Sequence, residues 1–279
     1  MSGVHIVTDS SCDLTAADIG DLAIDVVPLT IRFGPDEFVD RTELSVEDFY
    51  RRMAESSVLP ETAAPAPGAF EAAFRRAGDA GADAVVCINL SSALSATMQS
   101  AQTAAKVVGS DLDVRVIDSR SITAGLGTQV LEAAKAGSEG RSADEVVALV
   151  NNLMAHTEIY GALDTLDNLK KGGRIGNAQA LLGSMLSIKP LIHITNGAVE
   201  EAGKQRTRKK ALEWLRTKLY DEGEVQHLAV MHGEAPDIDE FIDMLAPRYT
   251  RDNLRIAKIG AVIGTHGGPR VIGFCYVKP

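Results

Sequence analysis

Residues 4–18 read VHIVTDSSCDLTAAD, and this stretch decides the class of fold. The apolar run at residues 4–7 is typical of a buried strand, and it ends in the small polar residues Thr8, Asp9 and Ser10. A helical pattern follows behind Thr15, which suits the N-cap position, with Asp18 three residues later. The stretch therefore predicts a strand, a polar loop and a helix, in that order.

The same alternation continues through the first half of the chain. Amphipathic stretches with helical spacing separate further apolar runs, which lie at residues 24–31, 84–90 and 114–117. Strands that alternate with helices in this way form mostly parallel α/β sheets. Because ligands of such sheets bind beyond the carboxyl ends of the strands, we expect the loops after Asp9, Leu90 and Ile117 to share one rim.

The pattern of predicted helices and strands changes near residue 156. Beyond it, Asn196-Gly197 separates two apolar runs, and this dipeptide is a strong signal for a type I′ hairpin with antiparallel strands. Further strands are predicted near residues 228–231, 255–263 and 271–277, with helices at 207–220 and 238–245. We therefore predict two domains, a mostly parallel α/β domain at residues 1–156 and an α+β domain with antiparallel strands at 157–279.

The composition narrows the classes of function. The chain has 28 Lys and Arg against 38 Asp and Glu, a net charge of −10, so nucleic acid is not expected as the main partner. The three cysteines form no CxxC pair, which argues against a disulfide framework and a cysteine zinc site. The first residues show no secretory signal pattern and no 18-residue apolar run occurs. We expect a cytoplasmic protein without stable membrane insertion.

The usual signatures of catalysis are missing from the sequence. It contains no P-loop, no GxGxxG after a strand, no HExxH and no GxSxG. His227, His232 and Glu234 match no standard spacing of metal ligands. We therefore expect neither a cofactor nor a metal.

Four features stand out from this background. They are Thr62 in a proline-containing loop at residues 58–68, the hydroxyl cluster at 91–97, His266 within the glycine-rich segment 264–269, and basic residues at 170–174 and 204–210. Each also has a purely structural interpretation, respectively the start of a helix, helix capping, a tight turn between strands and a solvated helix face. Hydroxyls gathered at the carboxyl end of a strand, beside a helix N-terminus, also suit a carboxylate or phosphate.

Taken in order along the chain, these segments resemble the DegV family of bacterial fatty-acid-binding proteins, whose kinase-linked members are called FakB. The motifs that carry the resemblance span residues 4–273 and include Ile6-Val7-Thr8-Asp9-Ser10, Thr62-x-x-Pro65, Ser91-Ser92-x-Leu94-Ser95-x-Thr97, Gly172-Gly173-Arg174-Ile175, Lys189-Pro190, Lys204-x-Arg206-Thr207-x-Lys209-Lys210-Ala211 and Gly264-Thr265-His266. The resemblance implies two α/β domains that enclose one long-chain fatty acid, such as palmitate, between them.

The resemblance also implies the residues of the site and the partner. Thr62 and Ser95 would hydrogen-bond the carboxylate, His266 would join that network, and Ser92 and Arg206 are further candidates. The acyl tail would occupy an apolar tunnel. In the family the acid is presented to a separate ATP-dependent fatty-acid kinase, which forms an acyl phosphate for phospholipid synthesis, so the carrier itself would not be an enzyme.

Some positions depart from the family pattern, and two other functions stay open. Ala63-Ala64 stands where Ser-Gln is frequent and Ala96 where Gly is usual, which affects the fine geometry of the site. One alternative is a stand-alone serine hydrolase acting on acyl esters, with Ser95 as nucleophile, His266 as base and Asp9 or Asp118 as orienter. The other is a DNA-binding regulator that uses the basic residues at 204–210.

Overall fold

The computed structural model describes residues 3–181 and 188–279 of the chain. The strands in these ranges are β1 (Val4–Asp9), β2 (Ile24–Val27), β3 (Thr30–Phe33), β4 (Asp36–Val39), β5 (Glu61–Ala63), β6 (Ala84–Asn89), β7 (Asp113–Asp118), β8 (Thr157–Ala162), β9 (Lys189–Thr195), β10 (Ala198–Gln205), β11 (Gln226–His232), β12 (Arg255–Lys258) and β13 (Ile272–Val277). The α-helices are α1 (Ala16–Ile19), α2 (Val46–Glu55), α3 (Pro67–Asp79), α4 (Thr97–Val108), α5 (Thr123–Ser138), α6 (Ala143–His156), α7 (Asp167–Lys171), α8 (Arg208–Asp221), α9 (Ile238–Leu245) and α10 (Ala261–Gly267).

The first sheet has the order β2-β1-β6-β7, and all of its strands are parallel. Successive side chains of β1 alternate between its faces, so that Ile6 packs with α5 and α6 while Val7 packs with α3 and α4. Thr15 and Asp18 form a capping box at the start of α1, as the sequence predicts. The parallel α/β architecture is confirmed.

The second sheet has the order β10-β9-β8-β13-β11-β12, and its pairs are antiparallel except β11 with β12. Asn196 and Gly197 turn the β9–β10 hairpin with positive φ angles of 50° and 79°. Helices α8 and α9 cover one face of this sheet, and the other face turns toward α5 and a cavity described below. The α+β class is confirmed, while the domain limits 1–156 and 157–279 stay a prediction.

The prediction of one strand at residues 24–31 is wrong. Strand β2 ends at Val27, and β3 joins a separate three-stranded antiparallel sheet with the order β4-β3-β5. Pro28 explains the break, because its backbone nitrogen has no hydrogen to continue the ladder. The prediction of a long loop at residues 58–68 is also partly wrong. Strand β5 lies within this segment and places Thr62 opposite Ile31.

The prediction of a strand at residues 255–263 is partly wrong, and so is the structural interpretation of residues 264–269 as a tight turn between strands. Strand β12 ends at Lys258, and helix α10 begins at Ala261 and includes the first part of the glycine-rich segment. A short apolar run fits a buried helix as well as a strand, so periodicity does not separate the two. The helix ends at Gly268, whose φ of 79° suits glycine.

None of the helices in the described ranges has both the length and the apolar character needed to cross a membrane.

Candidate functional site

A cavity, partly open to solvent, lies between the six-stranded sheet, α10 and the loops that follow β6 and β7. Most of its wall is aliphatic, contributed by Leu29, Leu90, Leu94, Ile122, Ile159, Leu163, Leu169, Ile192, Ile194, Val199, Met231, Ile259, Val262, Ile263 and Val271. Such a wall suits a hydrocarbon chain.

The loops at the carboxyl ends of the parallel strands meet at this rim, as the sequence predicts. The backbone N–H of Leu90 donates to Asp9 Oδ2 at 2.9 Å, and the N–H of Ser92 donates to Asp118 Oδ1 at 3.1 Å. These bonds tie the loop after β6 to its neighbours on both sides. The segment that contains Ser95 is therefore held in place by the sheet.

Polar side chains also line the cavity. Thr62 of β5, Ser95 before α4 and His266 of α10 all contribute to its wall, so the structure brings these three predicted residues to one cavity. Thr62 Oγ1 lies 3.1 Å from His266 Nε2, within hydrogen-bonding distance. Ser95 Oγ lies 2.9 Å from Thr97 Oγ1. These side chains can offer hydrogen-bond donors to a carboxylate.

His266 is neutral near pH 7. Burial, and to a smaller extent the nearby charge of Arg174, lowers the pKa of His266 from 6.5 to about 4. Its Nδ1 atom is buried and has no hydrogen-bond partner among the described residues. The imidazole packs closely against Gly172, since a Cβ atom at that position would lie 2.3 Å from Nδ1.

We expect this burial of His266 to be visible in the pH dependence of stability. The pKa is lower in the folded chain than in the unfolded one, so the contribution to stability present above pH 6.5 is lost as the pH falls toward 4. Between pH 7.5 and 5.5, the free energy of unfolding should fall by about 1 kcal/mol more for the unmodified chain than for His266→Gln. Urea unfolding at both pH values measures this, and equal pH dependence would contradict it.

Arg174 belongs to the basic residues at 170–174 that the sequence singles out, for which an acidic partner or a ligand's anionic head group stays open, but it is not among the residues that the resemblance assigns to the carboxylate. It lines the cavity, its Nε donates to the carbonyl of Leu94 at 3.1 Å, and its Nη1 donates to the carbonyl of Gly172 at 2.6 Å. The guanidinium thereby joins the Ser95 loop to the segment packed against His266. Its sequence signal was the Gly-Gly-Arg motif, which marked the family resemblance without indicating a role.

Ser92 and Arg206 lie elsewhere. Ser92 is exposed and its hydroxyl donates to Asp118, while Arg206 is exposed just before α8. Neither is among the residues that line the cavity. The structure therefore does not bring them to the group formed by Thr62, Ser95 and His266, and their contact with a ligand stays a prediction.

The arrangement required for a serine hydrolase is not assembled. His266 Nδ1 has no carboxylate partner among the described residues, and its Nε2 faces Thr62 instead of Ser95. Asp9 Oδ1 accepts from the backbone of Ser11, and Asp118 accepts from Ser92 and Arg120. No chain of hydrogen bonds therefore links Ser95 to His266 and His266 to an aspartate, as a catalytic triad requires.

A second, polar cleft, open to solvent, shares several of these residues. Thr62, Arg174 and His266 line both spaces, and Lys171, Asn168 and the loop at residues 57–61 complete the cleft. The polar residues of the cavity can therefore be reached from solvent through this cleft.

Comparison with known proteins identifies the family. A sequence profile described as an uncharacterised protein of the DegV family matches residues 3–279. The chain belongs to the DegV family. A DegV domain-containing protein of Streptomyces coelicolor is 37% identical over 274 residues, which cover 97% of this chain and 96% of that protein.

Solved structures of fatty-acid-binding proteins, one of them a DegV family protein, share the whole fold. A fatty-acid-binding DegV family protein from Thermus thermophilus has a TM-score of 0.90 and 31% identity, with coverage of 99% of this chain and 100% of the other. A stearic-acid-binding protein from Eubacterium ventriosum has a TM-score of 0.88 and 26% identity, with coverage of 100% and 98%. The two-domain DegV architecture is therefore confirmed.

Proposed function

We propose that this protein binds a long-chain fatty acid, with the acyl tail in the aliphatic cavity and the carboxylate at Thr62, Ser95 and His266. The observation that carries the proposal is one cavity with a mostly aliphatic wall and polar side chains, of which Thr62, Arg174 and His266 also line a cleft open to solvent. The fatty-acid-binding DegV protein from Thermus thermophilus, which shares the fold over its full length, supports it.

The energetics favour this ligand. Burial of about 14 methylenes, at about 0.8 kcal/mol each, contributes on the order of 11 kcal/mol before the costs of association are subtracted. A carboxylate removed from water needs charge-assisted donors. The hydroxyls of Thr62 and Ser95 are donors of this kind, and Arg174 adds a positive charge near the same atoms. The tail would supply affinity, and the polar side chains would select an acid over an alcohol.

Native mass spectrometry of freshly purified protein tests the proposal. We expect an added mass of one long-chain fatty acid per chain, released by solvent extraction and identified chemically. A chain that carries no acid and also does not bind added palmitate or oleate would contradict the proposal.

We further propose that the bound acid is presented to a separate ATP-dependent fatty-acid kinase, which forms an acyl phosphate used in phospholipid synthesis. The polar cleft beside Thr62 and His266 supports this, because a phosphoryl donor could reach the carboxylate from that side without entering the cavity. The sequence carries no nucleotide-binding motif of its own. In this proposal the protein is a carrier and not an enzyme.

The start of α8 is a candidate surface for the kinase. Arg206, Lys209 and Lys210 are exposed, and none has a carboxylate partner among the described residues, whereas the neighbouring Arg208 pairs with Asp237. Unpaired charges of one sign favour docking of an acidic partner. Simultaneous replacement of Arg206, Lys209 and Lys210 by Glu should lower the rate of coupled phosphorylation at least tenfold.

The assay combines the carrier, its kinase, ATP and a fatty acid, and lipid binding is measured in parallel. Lipid affinity should change less than twofold in a double variant with only Lys209 and Lys210 replaced by Glu, since neither residue is a candidate for the carboxylate or lines the cavity. Reversal of Lys106, an exposed residue on α4, is the control and should leave both quantities unchanged. An unchanged phosphorylation rate in the triple variant would contradict docking at α8.

A further inference from the structure

One face of the second sheet forms the floor of the cavity. Along β8 the side chains alternate, so Ile159 lies in the core beside the cavity, whereas Tyr160 packs in the core beneath α8 and α9. The next position on the cavity side is Gly161, followed by Leu163 just after the strand. The floor is therefore interrupted where β8 has no side chain.

The gap is widened by a second glycine. Gly161 pairs directly with Gly273 of β13, and both residues line the cavity. Ile192 of β9 lies opposite Gly161 on its other side, and Met231 of β11 lies opposite Gly273. Two adjacent strands thus expose bare backbone between two large aliphatic side chains.

The backbone requires glycine at position 273 but not at position 161. A Cβ atom on Gly273 would lie 2.4 Å from the carbonyl oxygen of Tyr160, so the packing of the backbone requires glycine there. A Cβ atom on Gly161 would approach Ile192 Cγ1 only to 3.5 Å, an ordinary contact, and the φ angle of Gly161 is not in the left-handed region. The fold therefore does not require a glycine at 161, and the space it leaves belongs to the cavity.

Gly161 lies between two aliphatic side chains of the cavity wall along β8. Ile159, paired with Ile194 of β9, precedes it by two residues, and Leu163 follows it just after the strand. Two residues of strand span about 6.6 Å, so a tail that runs along β8 between Leu163 and Ile159 passes over the glycine pair.

We infer that Gly161 determines how long an acyl tail the cavity accepts, by keeping open the passage along β8 between Leu163 and Ile159. The inference rests on the proposed binding of a fatty acid and adds the residue that sets its length. A larger side chain at this position would fill the passage and leave the end of a long tail without burial.

The test compares Gly161→Leu and Gly161→Ala with the unmodified chain, using saturated acids of 10, 12, 14, 16 and 18 carbons in a fluorescent displacement assay. Each methylene left unburied costs about fourfold in affinity. We expect Gly161→Leu to bind the 18-carbon acid at least tenfold more weakly, with less than a threefold loss for the 10-carbon acid. Gly161→Ala should shift the ratio of the two affinities in the same direction by about two- to fourfold.

Thermal unfolding reports whether each variant folds. If Gly161→Leu does not fold, the affinities of Gly161→Ala test the inference. An equal loss of affinity for all five acids, or an unchanged ratio in the folded variants, would overturn the inference while leaving fatty-acid binding intact. Failure of the unmodified chain to bind any of the five acids would instead overturn the proposed function.

Discussion

Replacement of Thr62 by valine is expected to weaken the binding of a long-chain fatty acid by about 1 to 3 kcal/mol, roughly 5- to 150-fold. Valine keeps the shape of the side chain and removes the hydroxyl that lies 3.1 Å from His266 Nε2. The carboxylate would lose a donor inside a partly buried site, and His266 would lose the polar partner of Nε2. Because the deleted group serves the ligand, the fold should remain intact.

Isothermal titration with palmitate measures this effect, with Ser95→Ala as a second variant expected to fall in the same range. The two losses should not add, since Thr62, Ser95 and His266 would contact one carboxylate. Thr103→Val is a matched control, because the Thr103 hydroxyl lies on the exposed side of α4, and its one bond among the described residues is to the carbonyl of Gln99. If Thr62→Val binds palmitate as tightly as Thr103→Val does, Thr62 does not hold the carboxylate.

The sequence indicates which types of side chain the site contains, but it does not indicate how the fold brings them together. Thr62 and His266 are recognised from their segments, but their contact joins residues 204 positions apart. That contact depends on β5 and α10, two of the elements that the sequence interpretation missed. The three residues of β5 and the seven of α10 are too few for hydrophobic periodicity to separate helix from strand, and tertiary packing fixes their conformation.

Other features of the site leave little signal in a single sequence. Arg174 bonds to two backbone carbonyls that are distant from each other in the sequence. An exposed arginine after a glycine pair gives no indication in the sequence that it will make such bonds. Gly161 has ordinary backbone geometry, so nothing local distinguishes it from a glycine in a weak strand. Only the pairing with the neighbouring strands shows that it lies beside Gly273 and Ile192 in the wall of the cavity.

A buried charge pair connects the first sheet with the helix that carries His266. Asp13, in the loop after β1, is almost fully buried and accepts from Arg41 Nη2 at 2.7 Å. The same oxygen, Oδ1, accepts from the backbone N–H of Gly260 at 3.0 Å, at the start of α10. Burial raises the pKa of Asp13, and the charge of Arg41 opposes that effect. The position of α10 thus depends on a side chain from the other half of the chain.

We expect Asp13→Ala to lower the free energy of unfolding by about 3 kcal/mol, because it leaves the partly buried Arg41 and the Gly260 N–H without this acceptor. Urea unfolding at pH 7 measures the loss. Asp113→Ala provides the comparison, since Asp113 bonds Arg115 at the exposed surface, where ion pairs contribute less than about 1 kcal/mol. Equal losses in the two variants would show that Asp13 does not hold α10 in place. A larger loss for Asp13→Ala, accompanied by weaker palmitate binding in the still-folded variant, would show that this charge pair supports the position of His266.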